Sequence, residues 1–250
     1  MKTVERFSNR VENYVKYRPG YPPEVMEFFR AELGLTPEMT VADIGSGTGI
    51  SSRMFLENGN TVYGVEPNAA MRAAAEELLA EFPGFKSVDG TAEYTTLPER
   101  SVNIVIAAQA FHWFDHERFR DEVRRILKPG GRLVLIWNER QLDTTPFLRE
   151  YERFLLTFGT DYETVRHENV TKDILKNNLG MEFSKKTFEN VQVFDLEGLK
   201  GRMLSSSYMP AEDAPNFEPM IAGLRQLFDK HAEQGTIRVF YDTNIFYTQS

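Results

Sequence analysis

The chain of 250 residues contains no cysteine. That absence excludes disulfides, a thiol nucleophile, thiolate-bound zinc and a cysteine-held iron–sulfur cluster. Long apolar runs are missing too. The central one, Ile104 to Ala108, is far too short to span a bilayer. The first ten residues are charged and lack the apolar core of a signal peptide, so a soluble, cytoplasmic protein with no membrane partner is expected. Excess positive charge is also absent: 29 Lys and Arg stand against 37 Asp and Glu, a net charge of −8. Nucleic-acid binders draw much of their affinity from basic contacts to phosphate. The most basic stretch, Arg118 to Arg132, is interleaved with Glu117, Asp121 and Glu122 at helical spacing and reads as a solvated helix face. A small-molecule partner is expected instead. Hydrophobic residues make up 41% of the chain, enough for a packed core and too many for a disordered chain.

Strand-like and helix-like segments alternate through the first half. Helical spacing runs from the Pro22-Pro23 start to Gly34. Thr40–Ile44 reads as a short buried strand entering the glycine-rich loop Gly45–Gly49, with a helix over Ser51–Glu57. Strand Thr61–Glu66, helix Asn68–Phe82, strand Phe85–Val88, strand Ser101–Ala108, helix Arg118–Leu127 and strand Arg132–Trp137 follow. This alternation is the pattern of a doubly wound parallel sheet with helices on both faces, and ligands then bind along one edge, on the loops after each strand. The second half is different: helices are predicted over Thr145–Phe158, Thr171–Leu179, Leu196–Leu204 and Phe217–Glu233, with strands over Phe183–Phe194 and Thr236–Thr248. No linker separates the halves. One domain is expected over 1–250. It comprises an arm and helix (1–39), a cofactor-binding core (40–138), helical additions on the substrate side carrying strand 183–194 (139–235), and a final strand (236–250).

Asp43-Ile-Gly45-Ser-Gly47-Thr-Gly49 follows a strand and precedes a helix. Glycines allow a tight turn there and let a ligand approach the backbone, while the helix start offers free N–H groups. Glu66 ends the next strand, where a carboxylate can accept hydrogen bonds from both hydroxyls of a ribose. The spacing is G-x-G-x-G rather than the dinucleotide G-x-G-x-x-G. Asp43 just before it would oppose a pyrophosphate and suit an ammonium group. At this level the adenosine ligand remains open.

Val41–Gly49, Val65-Glu66-Pro67-Asn68, Asp89–Glu93 and Leu127–Arg132 resemble, in order, the motifs of class I S-adenosylmethionine-dependent methyltransferases. Tyr14–Pro19 and Phe111–Phe114 resemble the small-molecule branch that includes trans-aconitate methyltransferases. The resemblance implies a Rossmann-like seven-stranded sheet with its last strand antiparallel, and S-adenosyl-L-methionine as cofactor. It implies Gly45, Ser46 and Gly47 along the methionine moiety with Asp43 near its amino group, Glu66 on the ribose and Pro67 beside the adenine. Thr91, Ala92 and Glu93 would read the adenine, with Glu93 standing where many relatives carry Asp. Gln109 and Ala110 would lie near the sulfonium.

Further candidates lie outside these motifs. His112 could serve as a general base at neutral pH. His112 and His116 are four residues apart with Asp115 beside them, but no third ligand is evident and no metal is expected. Trp113 is either core or an aromatic face for a cation. Tyr14, Tyr17 and Arg18 would form a lid, with Arg18 available to an anionic substrate, and Tyr208 would belong to a substrate wall. His167 and His231 read as surface residues. Two other readings share the fold. A nicotinamide-dependent oxidoreductase is separable by NADH titration, and a non-catalytic cofactor-binding module by radiolabelled methyl transfer to a metabolite panel.

Overall fold

In a computed structural model, residues 16–160, 162, 171–206 and 208–249 are described. Strands β1 (Thr40–Ile44), β2 (Thr61–Val65), β3 (Phe85–Val88), β4 (Val102–Ala108), β5 (Leu127–Arg140), β6 (Phe183–Phe194) and β7 (Ile237–Thr248) form one sheet in the order β3-β2-β1-β4-β5-β7-β6. β7 pairs antiparallel with both β5 and β6, while the β1–β5 pairings are parallel. The Rossmann-like architecture with an antiparallel last strand is therefore as expected.

Central strands of such a sheet are covered on both faces, so they read as continuous apolar runs. Val41 to Ile44 on β1 are all buried, and so is most of β4. One face is covered by α1 (Pro23–Ala31) and α2 (Ile50–Glu57), whose Phe28, Phe29 and Phe55 pack on Val41, Ile104 and Ile136. The other carries α4 (His116–Ile126) and α6 (Lys172–Leu179), packing Phe119, Val123 and Leu175 around Trp137 and Phe246. A further cluster joins α5 (Pro146–Phe158), α7 (Leu196–Leu204) and α8 (Phe217–His231) to Ile237, Val239 and Tyr241 at the start of β7. Because β7 runs backwards, its start lies beside the carboxyl ends of β5 and β6: Tyr241 pairs with Arg140 and Ile237 with Phe194. The helical cap thus rises at the same edge as the loops after the parallel strands.

Three local expectations need correction. Helix α3 (Ala69–Leu78) stops short of Phe82, whose α conformation is disfavoured by Pro83; its start is capped by Asn68, which accepts from the amides of Ala70 and Met71. Strand β5 begins at Leu127 rather than Arg132. Leu127 pairs with Val102 and Arg132 with Ile104, so the Lys128–Gly131 segment bulges out of the strand. It also runs on to Arg140, because β7 supplies partners past Trp137. Finally, Glu122 is not on a solvated face. It is buried and accepts from the Thr95 amide (2.8 Å) and from Arg125 (2.8 Å), tying α4 to the loop after β3.

Candidate functional site

Strand order reverses between β1 and β4, and at that switch point a crevice opens beyond the carboxyl ends of the strands. A cleft of about 220 Å³ lies there. Its walls come from four successive loops: Gly45 and Gly47 after β1, Glu66 to Asn68 after β2, Thr91 to Glu93 after β3, and Ala108 to Ala110 with Trp113 and Phe114 after β4.

The glycine loop is held from both sides. Gly45 and Ser46 amides donate to the Val65 carbonyl at 2.8 and 3.2 Å. Gly45 has φ +69°, and a Cβ on it would lie 2.7 Å from the Ala110 Cβ, so only glycine lets the loop after β4 close against it. Gly47 has φ +56°, but a Cβ there would meet nothing within 4 Å: the space beyond its backbone is the cleft.

Glu66 joins this loop to the next. One carboxylate oxygen accepts from the Gly47 amide (3.0 Å) and the other from the Asn68 amide (2.8 Å). Arg72 donates to the Glu66 carbonyl (2.8 Å) and pairs with Asp89 (3.0 Å). Burial raises the Glu66 pKa, against the lowering effect of the Asn68 and Gly47 amides and of Arg72. Asp43 is fully buried beneath the loop. Its Oδ2 accepts from the hydroxyls of Ser51 and Ser52, both at 2.7 Å, whereas Oδ1 has no hydrogen-bond partner among the described residues. Burial pushes its pKa up to about 6; the two serines pull it down and Glu66 pushes it further up. Two carboxylates meeting a glycine turn, both disfavoured as anions, make a site for hydroxyl donors and a cation.

Of the expected cofactor residues, Gly45, Gly47, Glu66, Pro67, Thr91, Ala92, Glu93, Gln109 and Ala110 line this cleft. Ser46 lines a smaller adjoining cavity, and Asp43 lines neither but lies under the loop they share. Glu93 also accepts from the Asp115 amide (3.0 Å), just ahead of α4. Gln109 has φ +60°, a sparsely populated conformation for a side-chain-bearing residue, where the chain turns off β4. Sequence reasoning missed Asn68, Met71, Ala108 and Phe114 as wall residues. Asn68 carried a signal, being a helix-capping residue directly after Glu66-Pro67.

Trp113 lines the cleft. His112 does not line either cavity; its ring lies 4.6 Å from that of Trp113, behind the wall that the indole forms. The His116 ring stacks on Phe111 at 4.2 Å. Tyr17 also lines neither cavity. Its ring packs on Gly201 of α7 in the helical cap, away from both cavities. Tyr208 lies against Tyr162, ring centroids 4.8 Å apart, and is likewise absent from both walls. Arg18 does reach the smaller cavity. Tyr14 and His167 fall outside the described residues.

A ligand carrying an adenosine and an amino-acid group fits this arrangement, because Asp43 Oδ1 and Thr48 Oγ1 are buried polar atoms without hydrogen-bond partners among the described residues, beside a glycine turn whose Cβ position is empty. Residues 42–135 match the methyltransferase-domain family, and the sheet order is that of a Rossmann-like methyltransferase fold. An uncharacterised methyltransferase of Mycobacterium tuberculosis is 37% identical over 162 residues, 64% of this chain and 61% of that protein. The chain therefore aligns with about three-fifths of that relative's length. The solved structure of a candidate type II methyltransferase from Anaeromyxobacter dehalogenans superposes with TM-score 0.68 at 22% identity, covering 93% of this chain and 98% of that one. A phosphoethanolamine N-methyltransferase from Haemonchus contortus, solved with phosphomonomethylethanolamine and S-adenosylhomocysteine, superposes with TM-score 0.58 at 14% identity, covering 98% of this chain and 58% of that one. Among the described residues no helix is long and apolar enough to cross a membrane.

Proposed function

We propose that the protein transfers a methyl group from S-adenosyl-L-methionine to a small-molecule acceptor by direct displacement. The observation that carries this reading is the convergence of Glu66, the glycine turn and the Thr91–Glu93 loop on one cleft, with an unpartnered oxygen of Asp43 beneath it. The Haemonchus contortus protein, of the same fold, holds S-adenosylhomocysteine. S-Adenosylmethionine, when bound, supplies a methyl group on a sulfonium. Glu66 would hold the ribose hydroxyls, Thr91 to Glu93 the adenine edge, and Gly45 to Gly47 the methionine moiety. Asp43 Oδ1 would take a hydrogen bond from its ammonium, directly or through water.

The remaining task for the chain is to orient the acceptor and exclude water, which can supply roughly 7–11 kcal/mol of the barrier. Gln109 and Ala110 form the part of the wall shared with the acceptor side, and Trp113 presents an aromatic face worth about 0.5–2 kcal/mol to a nearby cation. Among the described residues the carboxylates of this wall are Glu66 and Glu93; Glu66 would be occupied by the ribose, and an acceptor that is already nucleophilic, such as a carboxylate, needs no further proton-transfer group. Residues 16–20 form a strap over the acceptor side: the Tyr17 carbonyl accepts from Gln192 (3.2 Å) and the Gly20 carbonyl from Asn138 (3.1 Å) and Asn190 (2.9 Å).

Titration calorimetry with S-adenosylhomocysteine tests the reading. Wild type is expected to bind, and Glu66→Ala to bind more weakly by roughly 1.5–3 kcal/mol, since two ribose hydroxyls lose a charged acceptor. Unchanged affinity in the variant removes Glu66 from the ribose site. Transfer of label from methyl-labelled cofactor to a metabolite panel then separates an enzyme from a binding module.

A further inference from the structure

Two arginines of the helical cap are satisfied in different ways. Arg140 is ion-paired with Glu152, donates to the Tyr162 hydroxyl (2.9 Å) and lies over the Tyr151 ring. Arg202, on α7, has no such carboxylate. Its Nε donates to the Tyr241 hydroxyl (3.2 Å) and its Nη1 to Ser206 Oγ (3.1 Å), and its guanidinium lies 6.0 Å from the Tyr241 ring. Among the described residues no Asp or Glu pairs with it. A guanidinium stays protonated at any working pH, so a full positive charge sits partly buried among neutral hydroxyls, at a desolvation cost that no opposite charge offsets.

That charge faces a ligand space. Arg202 lines the smaller cavity, about 50 Å³, together with Arg18, Ser46, Gln109 and Asn138. Gly45, Ala108 and Gln109 belong to both cavities, so this one opens off the cofactor cleft at its β4 end. Arg18 is anchored there by donating to the Ser205 carbonyl at 3.0 Å, one turn beyond Arg202. Two cations, two side-chain amides and a hydroxyl around a space for a few heavy atoms match a carboxylate, whose planar oxygens suit guanidinium donors.

We propose that Arg202, with Arg18 on the same wall, binds a carboxylate of the methyl acceptor and thereby selects anionic substrates. This rests on the methyltransferase reading of the adjoining cleft. The cofactor's own methionine carboxylate is the other source of the same chemistry, and the experiment separates the two. S-Adenosylhomocysteine and 5′-methylthioadenosine, which lacks the amino-acid group, are titrated into wild type, Arg202→Gln and Arg202→Lys. Malonate is titrated into each protein with and without S-adenosylhomocysteine.

The expected result is malonate binding to wild type, about tenfold or more weaker in Arg202→Gln, intermediate in Arg202→Lys, with S-adenosylhomocysteine affinity within about twofold throughout. Absence of malonate binding in wild type, or equal binding in Arg202→Gln, overturns the proposal. A variant that loses affinity for S-adenosylhomocysteine but not for 5′-methylthioadenosine assigns Arg202 to the cofactor's carboxylate and overturns it as well. Should Arg202→Gln melt before titration, Arg202→Lys decides: weakened malonate binding with unchanged S-adenosylhomocysteine binding supports the proposal, and wild-type malonate affinity overturns it. Failure of wild type to bind S-adenosylhomocysteine sinks the methyltransferase reading instead, while malonate binding to the ligand-free chain still judges Arg202.

Discussion

Replacing Asp43 by Asn should make the ligand-free protein gain stability relative to wild type as pH rises. The carboxyl is fully buried, two serine hydroxyls donate to Oδ2, and Oδ1 has no partner. Its pKa lies at about 6 in the folded chain, against an ordinary 3.8. The folded state therefore holds this proton more tightly than the unfolded state. The stabilisation from the protonated form is complete below pH 3.8 and is lost as pH rises through about 6. A shift of about two units at 1.36 kcal/mol each amounts to roughly 3 kcal/mol. Asn cannot ionise, so it feels none of this. It adds a separate, pH-independent cost of about 1–3 kcal/mol if its NH2 group takes the place of the unpartnered oxygen and finds no acceptor. The readout is thus the slope and not the offset. Melting curves between pH 4 and 7.5 should show wild type falling relative to Asp43→Asn by roughly 6–12 °C, at about 2–4 °C per kcal/mol for a chain of this size. Parallel curves for the two proteins would refute the reasoning, because they would mean that the carboxyl is as comfortable ionised in the fold as in water. Binding of an ammonium-bearing ligand beside Oδ1 should reverse the preference and release protons near pH 6. Calorimetry in buffers of different ionisation enthalpy measures that release.

Two further outcomes follow from the loops. Gly47→Val should cost about 1–2 kcal/mol of stability for holding a side chain at φ +56°, yet leave the fold intact, since its Cβ meets no protein atom. Its branched side chain would stand in the cleft, so S-adenosylhomocysteine binding should fail; a normally melting variant with wild-type affinity would remove the glycine turn from the cofactor site. Gly201→Ala would place a Cβ 2.0 Å from the Tyr17 ring, which must leave its seat on α7. If the strap shapes the acceptor side, the KM for the acceptor should rise with cofactor affinity little changed; identical kinetics would reduce the strap to packing.

Most of the fold and much of the cleft were legible along the chain. The central parallel strands announce themselves as apolar runs and the helices by their spacing, five of them also by a side-chain cap: Asn68, Asp115, Thr145, Thr171 and Asp195 accept from the first turn they precede. Once strands alternate with helices, the loops after β1, β2, β3 and β4 must share one edge. Gly45 and Glu66 are therefore grouped by the chain's own pattern, and the family resemblance adds Thr91 and Gln109 to them.

What the tertiary structure alone decided depends on contacts between distant segments. Glu122 looks like one more charge on a basic helix, and only the packing of α4 against the loop after β3 buries it against Thr95 and Arg125. His112 and Trp113 are neighbours in sequence, but the short 3-10 turn over Phe111–Trp113 sends the indole to the cleft and leaves the imidazole off its wall. Arg202 shows no motif at all. It meets Arg18 and the glycine loop because β7 reverses direction, carrying Tyr241 and the helix packed on it to the carboxyl edge of the sheet. Local periodicity encodes which faces of a helix are apolar, but not which distant surface will cover them. That choice is made by burial of the whole chain at once, and here it put a guanidinium with no carboxylate partner among the described residues beside the cleft.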